Sequence, residues 1–153
     1  MARIGWEVHE PLTRGSTLSV HATWSGLRAL HHRINANLER ALQRRFHFGL
    51  SEFAALSALV RAPDGGLRMQ ELTEVVGLNQ SSVSRLVARL EQSGLTGREL
   101  CETDRRGVYS CITPAGREVQ AAAATFFDET LETIFTEVSR DPELGPMLAK
   151  VRA

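Results

Sequence analysis

The chain has 153 residues, of which 42% are hydrophobic and 24% are charged, and its formal net charge at pH 7 is zero. This composition is typical of a globular protein that can bury a sizeable core, and no apolar run approaches the roughly 20 residues needed to cross a membrane. Because the N-terminus also shows no secretion signal, the sequence predicts a cytoplasmic protein.

Residues 1–18 contain Gly5, Pro11 and Gly15 without any sustained periodicity, which predicts an irregular N-terminal arm. From Ser19 onwards, apolar residues recur at steps of three, four and seven, a pattern that predicts one long amphipathic helix. Its apolar positions are Val20, Trp24, Leu27, Ile34, Leu38 and Leu42.

Three shorter helices are predicted next. Ser51 is the expected cap of the second helix, and the run 63–66 ends it. A short third helix carries Leu72, Val75 and Val76 on one side and stops at Gly77, since glycine readily takes the left-handed conformation of a helix end. Asn79 can cap the fourth, whose apolar stripe consists of Val83, Leu86, Val87 and Leu90.

Two strands, 96–101 and 108–113, are expected around a polar turn at 102–107, and together they form a hairpin. A long helix opens at 113–116 and is ended by Asp141-Pro142, and a short one spans 144–151. The predicted fold class is therefore mainly α with a small β-hairpin wing.

Residues 70–90 have the spacing of a helix-turn-helix unit, with Leu72, Val76, Leu78, Val83 and Leu86 as its shared core. The opposite face of the fourth helix is polar, and short hydrogen-bonding side chains with arginines are suited to the major groove of DNA. The alternative for each such residue is a solvated helix face. The candidate DNA-binding residues on this helix are Asn79, Gln80, Ser81, Ser82, Ser84, Arg85 and Arg89.

The predicted hairpin turn carries Asp104, Arg105 and Arg106. Two adjacent guanidinium groups at a tip can reach backbone phosphates or a narrow minor groove. A charged turn also serves simply to keep a hairpin soluble. Because this hairpin directly follows the candidate recognition helix, we favour a role in DNA binding.

These segments together resemble the MarR (multiple antibiotic resistance regulator) family of winged helix-turn-helix transcriptional regulators. The likeness is carried by the run from Leu67 through the helix-turn-helix, by Ser82-Val83-Ser84-Arg85-Leu86-Val87-Ala88-Arg89-Leu90-Glu91, by Gly94-Leu95, by Asp104-Arg105-Arg106 and by Ile112-Thr113-Pro114-Ala115-Gly116. The departures are Thr73, where alanine is usual, and Thr96-Gly97 at the start of the wing.

The resemblance implies a homodimer built by the first and last helices, and often a small-molecule effector pocket between dimerisation region and lobe. It also implies that 79–93 is the recognition helix, with Arg106 at the wing tip oriented by Asp104. The expected organisation is an irregular arm at 1–18, an N-terminal dimerisation helix at 19–48, a winged helix-turn-helix DNA-binding lobe at 49–113, and C-terminal dimerisation helices at 114–153.

Metal- and redox-responsive regulation are alternatives. His31 and His32 are the two histidines adjacent in sequence, but neighbouring helical residues point about 100° apart and do not form a ligand pair, so no metal and no cofactor is predicted. Cys101 and Cys111 flank the turn almost symmetrically; directly opposed, they would be within disulfide range. We expect reduced thiols in the cytoplasm.

No catalytic constellation is recognisable, so the sequence predicts a protein that is not an enzyme. The expected function is sequence-specific regulation of transcription, as a repressor, by a homodimer bound to near-palindromic double-stranded DNA. The alternative is a winged-helix module that binds another protein, which would expose apolar rather than polar side chains along 79–93.

Overall fold

The computed structural model describes residues 19–100 and 108–153. The predicted arm at 1–18, together with Cys101, Asp104, Arg105 and Arg106 of the wing, lies outside the described residues. The elements in chain order are α1 (Val20–Phe46), α2 (Leu50–Arg61), β1 (Gly66–Arg68), α3 (Met69–Val76), α4 (Gln80–Gln92), β2 (Thr96–Leu100), β3 (Val108–Ile112), α5 (Pro114–Ser139) and α6 (Gly145–Arg152). The predicted mainly helical fold with a small β wing is confirmed.

Helix α1 begins where the sequence predicts. The Ser19 side chain accepts a hydrogen bond from the Ala22 N–H at 3.1 Å, which satisfies a donor that the first helical turn leaves free. At the other end His47 takes a left-handed conformation with φ of 61°, and its N–H donates to the Gln43 carbonyl. The turn to α2 follows within three residues.

Helix α2 begins two residues earlier than predicted, and Ser51 is not its cap. Gly49 occupies the cap position, and two carboxylates serve the donors there. Glu52 Oε2 accepts from the Gly49 N–H at 3.2 Å, and Glu39 Oε2 accepts from the Leu50 N–H at 2.7 Å. The capping rule considers a side chain at the cap position itself, so it missed a cap supplied from α1.

In the described part of the chain the sheet has three strands, in the order β1, β3, β2, and neighbouring strands are antiparallel. Strand β1 was not predicted, because three residues are too few to show alternation. The register places Gly97 of β2 and Gly66 of β1 on either side of Cys111. The residue of β2 opposite Cys111 is therefore Gly97, and the disulfide considered from the sequence involves Cys101, which lies outside the described residues.

Two hydrophobic clusters hold the molecule together. The first lies under the helix-turn-helix and takes residues from α1 to α5, including Leu42, Leu56, Leu72, Leu86 and Ala123. The second joins α1 to α5 and α6 and consists of the buried residues Leu30, Leu38, Ile134, Val138, Met147 and Leu148. The end of α1 and the start of α5 thus belong to the same core as the helix-turn-helix.

Asp141 fixes the turn between α5 and α6. Its Oδ1 accepts from the N–H groups of Glu143 and Leu144 at 2.9 and 3.0 Å, and its Oδ2 lies 2.6 Å from Arg33 Nη1 on α1. The backbone N–H groups of Leu144 and Glu143, followed by Arg33, hold the pKa of Asp141 below its usual value. Among the described helices, none is long and apolar enough to span a membrane.

Candidate nucleic-acid interface

The turn of the helix-turn-helix is formed by Gly77, as predicted. Its φ is 70° and its N–H donates to the Thr73 carbonyl at 3.0 Å, which ends α3 in the left-handed conformation. Thr73 bonds its own helix, since its Oγ1 donates to the Met69 carbonyl at 2.8 Å. The departure from alanine at this position is therefore accommodated without loss of the helix.

Asn79 caps α4, also as predicted. Its Oδ1 accepts from the Ser82 N–H at 2.9 Å and from the Ser81 hydroxyl at 2.8 Å. One side chain thus orders the first turn of α4 and fixes the position of Ser81 on its surface. The N-terminus of a helix carries free N–H groups and a positive partial charge, and both favour a nearby phosphate.

The burial of its side chains divides α4 into two faces, as the sequence predicts. Val83, Leu86, Val87 and Leu90 are at most 2% exposed and hold the helix on the lobe. Ser82 is half-buried. The remaining candidates are exposed and form what we call the outer face of α4: Gln80, Ser81, Ser84, Arg85 and Arg89.

Leu78, predicted to lie in the shared core, and Val75, predicted to lie on the apolar side of the third helix, are instead exposed. Leu78, beside the turn, is 39% exposed, and Val75 of α3 is 49% exposed. The periodicity placed both on the apolar side, but α3 is only eight residues long and buries Leu72 alone completely. The core under α3 is correspondingly completed by Phe48, Leu56 and Leu59 from outside the helix-turn-helix.

The wing is tied to α4 at its base. Leu95 N–H donates to the Leu90 carbonyl at 3.0 Å, and Thr113 Oγ1 donates to the Gly94 carbonyl at 2.7 Å. Arg98 of β2 forms an ion pair with Glu91 of α4 at 2.8 Å. These contacts fix the direction in which β2 and β3 leave the helix-turn-helix.

Arg89 does not stand free on the outer face. Its Nη2 lies 2.5 Å from Oε1 of Glu52, which is otherwise occupied in capping α2. Sequence reasoning did not select Glu52, because the two residues are 37 positions apart and no local pattern connects them. The one sequence feature that could have drawn attention to Glu52 is its position as an acidic residue in the first turn of a mainly apolar helix.

Two concave surfaces could in principle receive a small molecule, and they lie at different places. Arg28 and His31 line a shallow depression on α1 together with His32, whereas Phe53 stacks on Phe127 at 4.9 Å between ring centroids. Phe53 borders a cavity of about 700 Å³ between α1, α2 and α5, lined also by Asn35, Ser57, Arg61, Gln120 and Asp128. Within residues 19–100 and 108–153, His, Cys, Asp and Glu form no group of three or more that could hold a metal.

Comparison with known proteins agrees with this geometry. A MarR family model matches residues 48–107, while no curated protein matches the sequence. A MarR family transcriptional regulator from Streptomyces coelicolor, solved in complex with DNA, has 28% identity and a TM-score of 0.72, over 95% of this chain and 89% of its own. AbsC, a MarR family transcriptional regulator from the same organism, has 24% identity and a TM-score of 0.71, over 92% and 99%.

A third solved structure is BpsR from Bordetella bronchiseptica, whose DNA binding is regulated by 6-hydroxynicotinic acid. It has 20% identity and a TM-score of 0.62, over 82% of this chain and 92% of its own, a likeness that concerns the fold. The family model over residues 48–107, the winged helix-turn-helix and the neighbour at 28% identity lead to one conclusion: the chain is similar to the MarR family transcriptional regulators and carries their winged helix-turn-helix fold.

Proposed function

We propose that this protein is a transcriptional regulator of the MarR type, a homodimeric repressor that acts in the cytoplasm and binds a near-palindromic operator in double-stranded DNA. In this proposal α4 enters the major groove, with Asn79, Gln80, Ser81, Ser82, Ser84, Arg85 and Arg89 as its contacting residues. Arg105 and Arg106 of the wing, oriented by Asp104, contact phosphates or the minor groove.

The observation that carries the proposal is the outer face of α4. Gln80, Ser81, Ser84 and Arg85 are exposed side by side on a helix whose opposite side is fully packed. Arginine can form paired hydrogen bonds with guanine, and serine and glutamine can bond bases or phosphates. A module that binds protein would be expected to offer large apolar side chains here, and this face has none among its described residues.

The homodimer is supported by apolar surface at the two ends of the described chain. Val20, Trp24 and Leu27 on α1 are 88%, 58% and 39% exposed, and Val151 on α6 is 63% exposed. Side chains of this kind usually mark an interface when they lie together. We infer that α1 and the helices from residue 114 onwards form the dimer, which gives each operator half-site one copy of α4.

Release of the operator by a small molecule is part of the proposal. Its support is the cavity beside Phe53 and Phe127, which is bounded by α1 and α5 of the proposed dimer region and by α2 of the lobe. A ligand between these helices would change the spacing of the two lobes, and affinity for DNA depends on that spacing.

The direct experiment is fluorescence anisotropy with DNA from upstream of the chain's own gene, titrated over a range of salt. We expect tight binding whose affinity falls steeply with salt, because phosphate contacts release counterions. Arg85→Ala should weaken binding by roughly 1 to 3 kcal/mol if Arg85 contacts a guanine. Arg140→Ala, which removes an exposed arginine at the end of α5, is the matched control and should leave affinity unchanged.

A further inference from the structure

The ion pair between Glu52 and Arg89 is strongly asymmetric. The side chain of Glu52 is 11% exposed, whereas that of Arg89 is 60% exposed. A carboxylate is rarely buried to this degree unless its oxygens are occupied, and here both are. Oε2 accepts from the Gly49 N–H, and Oε1 accepts from Arg89. Glu52 is therefore the fixed partner, and the guanidinium is the exposed one.

A second carboxylate also holds the helix start at which Glu52 lies. Glu39 of α1 packs over the same helix start, with its carboxylate on the Leu50 N–H at 2.7 Å. A Cβ at position 49 would lie against that carboxylate and would displace it from this position. Glu39 and Glu52 thus hold the beginning of α2 from two sides, and Arg89 is joined to the more buried of the two.

Arg89 lies on the flank of the outer face that looks towards α1 and α2. It shares a cleft with Ser82 and Arg85 of α4 and with Gln43 of α1. A guanidinium has five N–H donors in a planar fork, and the bond to Glu52 uses Nη2. Because the side chain is largely exposed, its remaining donors can meet an acceptor outside the protein without breaking the bond to Glu52.

We propose that Glu52 is a positioning residue for DNA binding, which fixes the guanidinium of Arg89 so that its remaining donors meet a backbone phosphate beside the groove that α4 enters. This inference rests on the proposed function. Holding a flexible arginine in its binding geometry before the encounter removes the entropy cost of ordering it. Glu52 would therefore strengthen DNA binding even though it carries a negative charge.

A double-mutant cycle on operator DNA tests the inference, with Glu52→Gln, Arg89→Gln and the double variant. Glutamine at position 52 can still accept from the Gly49 N–H, so the cap of α2 is kept. We expect Glu52→Gln to weaken binding about three- to tenfold, equally on every sequence, as loss of one ordered side chain implies. In the Arg89→Gln background the same change should have no further effect, because the residue that Glu52 positions is gone.

Salt titration supplies a readout that a purely structural role would not change. Arg89→Gln should reduce the slope of log affinity against log salt by about 0.9, the value for one lost phosphate contact. Arg89→Lys should keep most of the slope but lose affinity, because an ammonium lacks the fork that binds carboxylate and phosphate together. Glu143→Gln, the same charge change in the turn between α5 and α6, is the matched control and should bind as wild type does.

Three results would overturn the inference. Tighter binding by Glu52→Gln would mean that the carboxylate competes with DNA for Arg89. Additive losses in the cycle would mean that the two residues act separately, and wild-type affinity in Arg89→Lys would mean that the fork is not used. Thermal unfolding of each variant confirms that the fold is intact. If the wild type itself bound no DNA, the proposed function would fail, which is a different result from any of these.

Discussion

Substitutions at Asn79 can separate the stability of α4 from its proposed binding to DNA. Its Oδ1 accepts two hydrogen bonds in the first turn, from the Ser82 N–H and the Ser81 hydroxyl. Asn79→Ala removes both and should lower the free energy of unfolding by about 1 kcal/mol, the usual value of an N-cap. For a chain of this size that corresponds to a melting temperature lower by roughly 2 to 4 °C.

Asn79→Asp should have the opposite effect on stability. A carboxylate accepts the same two hydrogen bonds, and its charge is favourable at a helix N-terminus, so stability should be kept or raised by a few tenths of a kcal/mol. On DNA the added negative charge lies beside phosphates, and at a protein surface this should cost roughly 1 to 2 kcal/mol, or about five- to thirtyfold in affinity. Asn79→Asp should thus be at least as stable as the wild type and yet bind DNA more weakly.

The assay is thermal unfolding at one fixed protein concentration, paired with fluorescence anisotropy on operator DNA. Gln92→Glu makes the same charge change at the other end of α4 and should weaken binding much less, because in the proposed complex only the N-terminal half of α4 enters the groove. An Asn79→Asp variant as unstable as Asn79→Ala would refute the cap. Wild-type affinity in Asn79→Asp would refute the placement of this helix end at the phosphates.

Three further predictions concern the lobe core, the turn at Asp141 and the dimer. Leu86 is 1% exposed, so Leu86→Ala should cost about 2 to 5 kcal/mol in urea unfolding; a loss below 1 kcal/mol would contradict its place in the core. Asp141 has a lowered pKa, so its charged form stabilises the fold above the ordinary carboxyl value of 3.8, and that contribution disappears as the pH falls through the pKa of the folded state. Asp141→Asn should therefore melt at a lower temperature than the wild type at pH 7, and this difference should shrink in acid. A difference in melting temperature that does not depend on pH would exclude the charge as its cause. Trp24→Glu should dissociate the proposed dimer in sedimentation velocity, whereas Val108→Glu, at a comparably exposed apolar site on β3, should not.

Much of the fold could be predicted because its determinants are local. The start of α1 at Ser19, the turn at Gly77 and the cap at Asn79 each depend on residues within four positions of one another. The apolar stripe of α4 is equally local, and all four of its predicted residues are buried.

The features that were missed depend on residues distant in sequence. Strand β1 exists because Gly66 pairs with Cys111, and the cap of α2 comes from Glu39, which lies in α1. The bond between Glu52 and Arg89 spans two helices that no periodicity relates. Leu78 illustrates the converse, since a local pattern placed it inside although the short α3 leaves it exposed.

The central claim is that two copies of α4 read DNA sequence, and selection from a pool of randomised double-stranded DNA tests it most directly. If two copies of α4 read the DNA, the selected motif should be two-fold symmetric, with half-sites about one helical turn, or roughly 10 base pairs, apart. It also predicts that Arg85→Ala, selected in parallel, loses preference at one position of each half-site while keeping the symmetry. Selection of no symmetric motif by the wild-type protein, with the dimer shown to be intact, would contradict the assignment of α4 as the recognition helix.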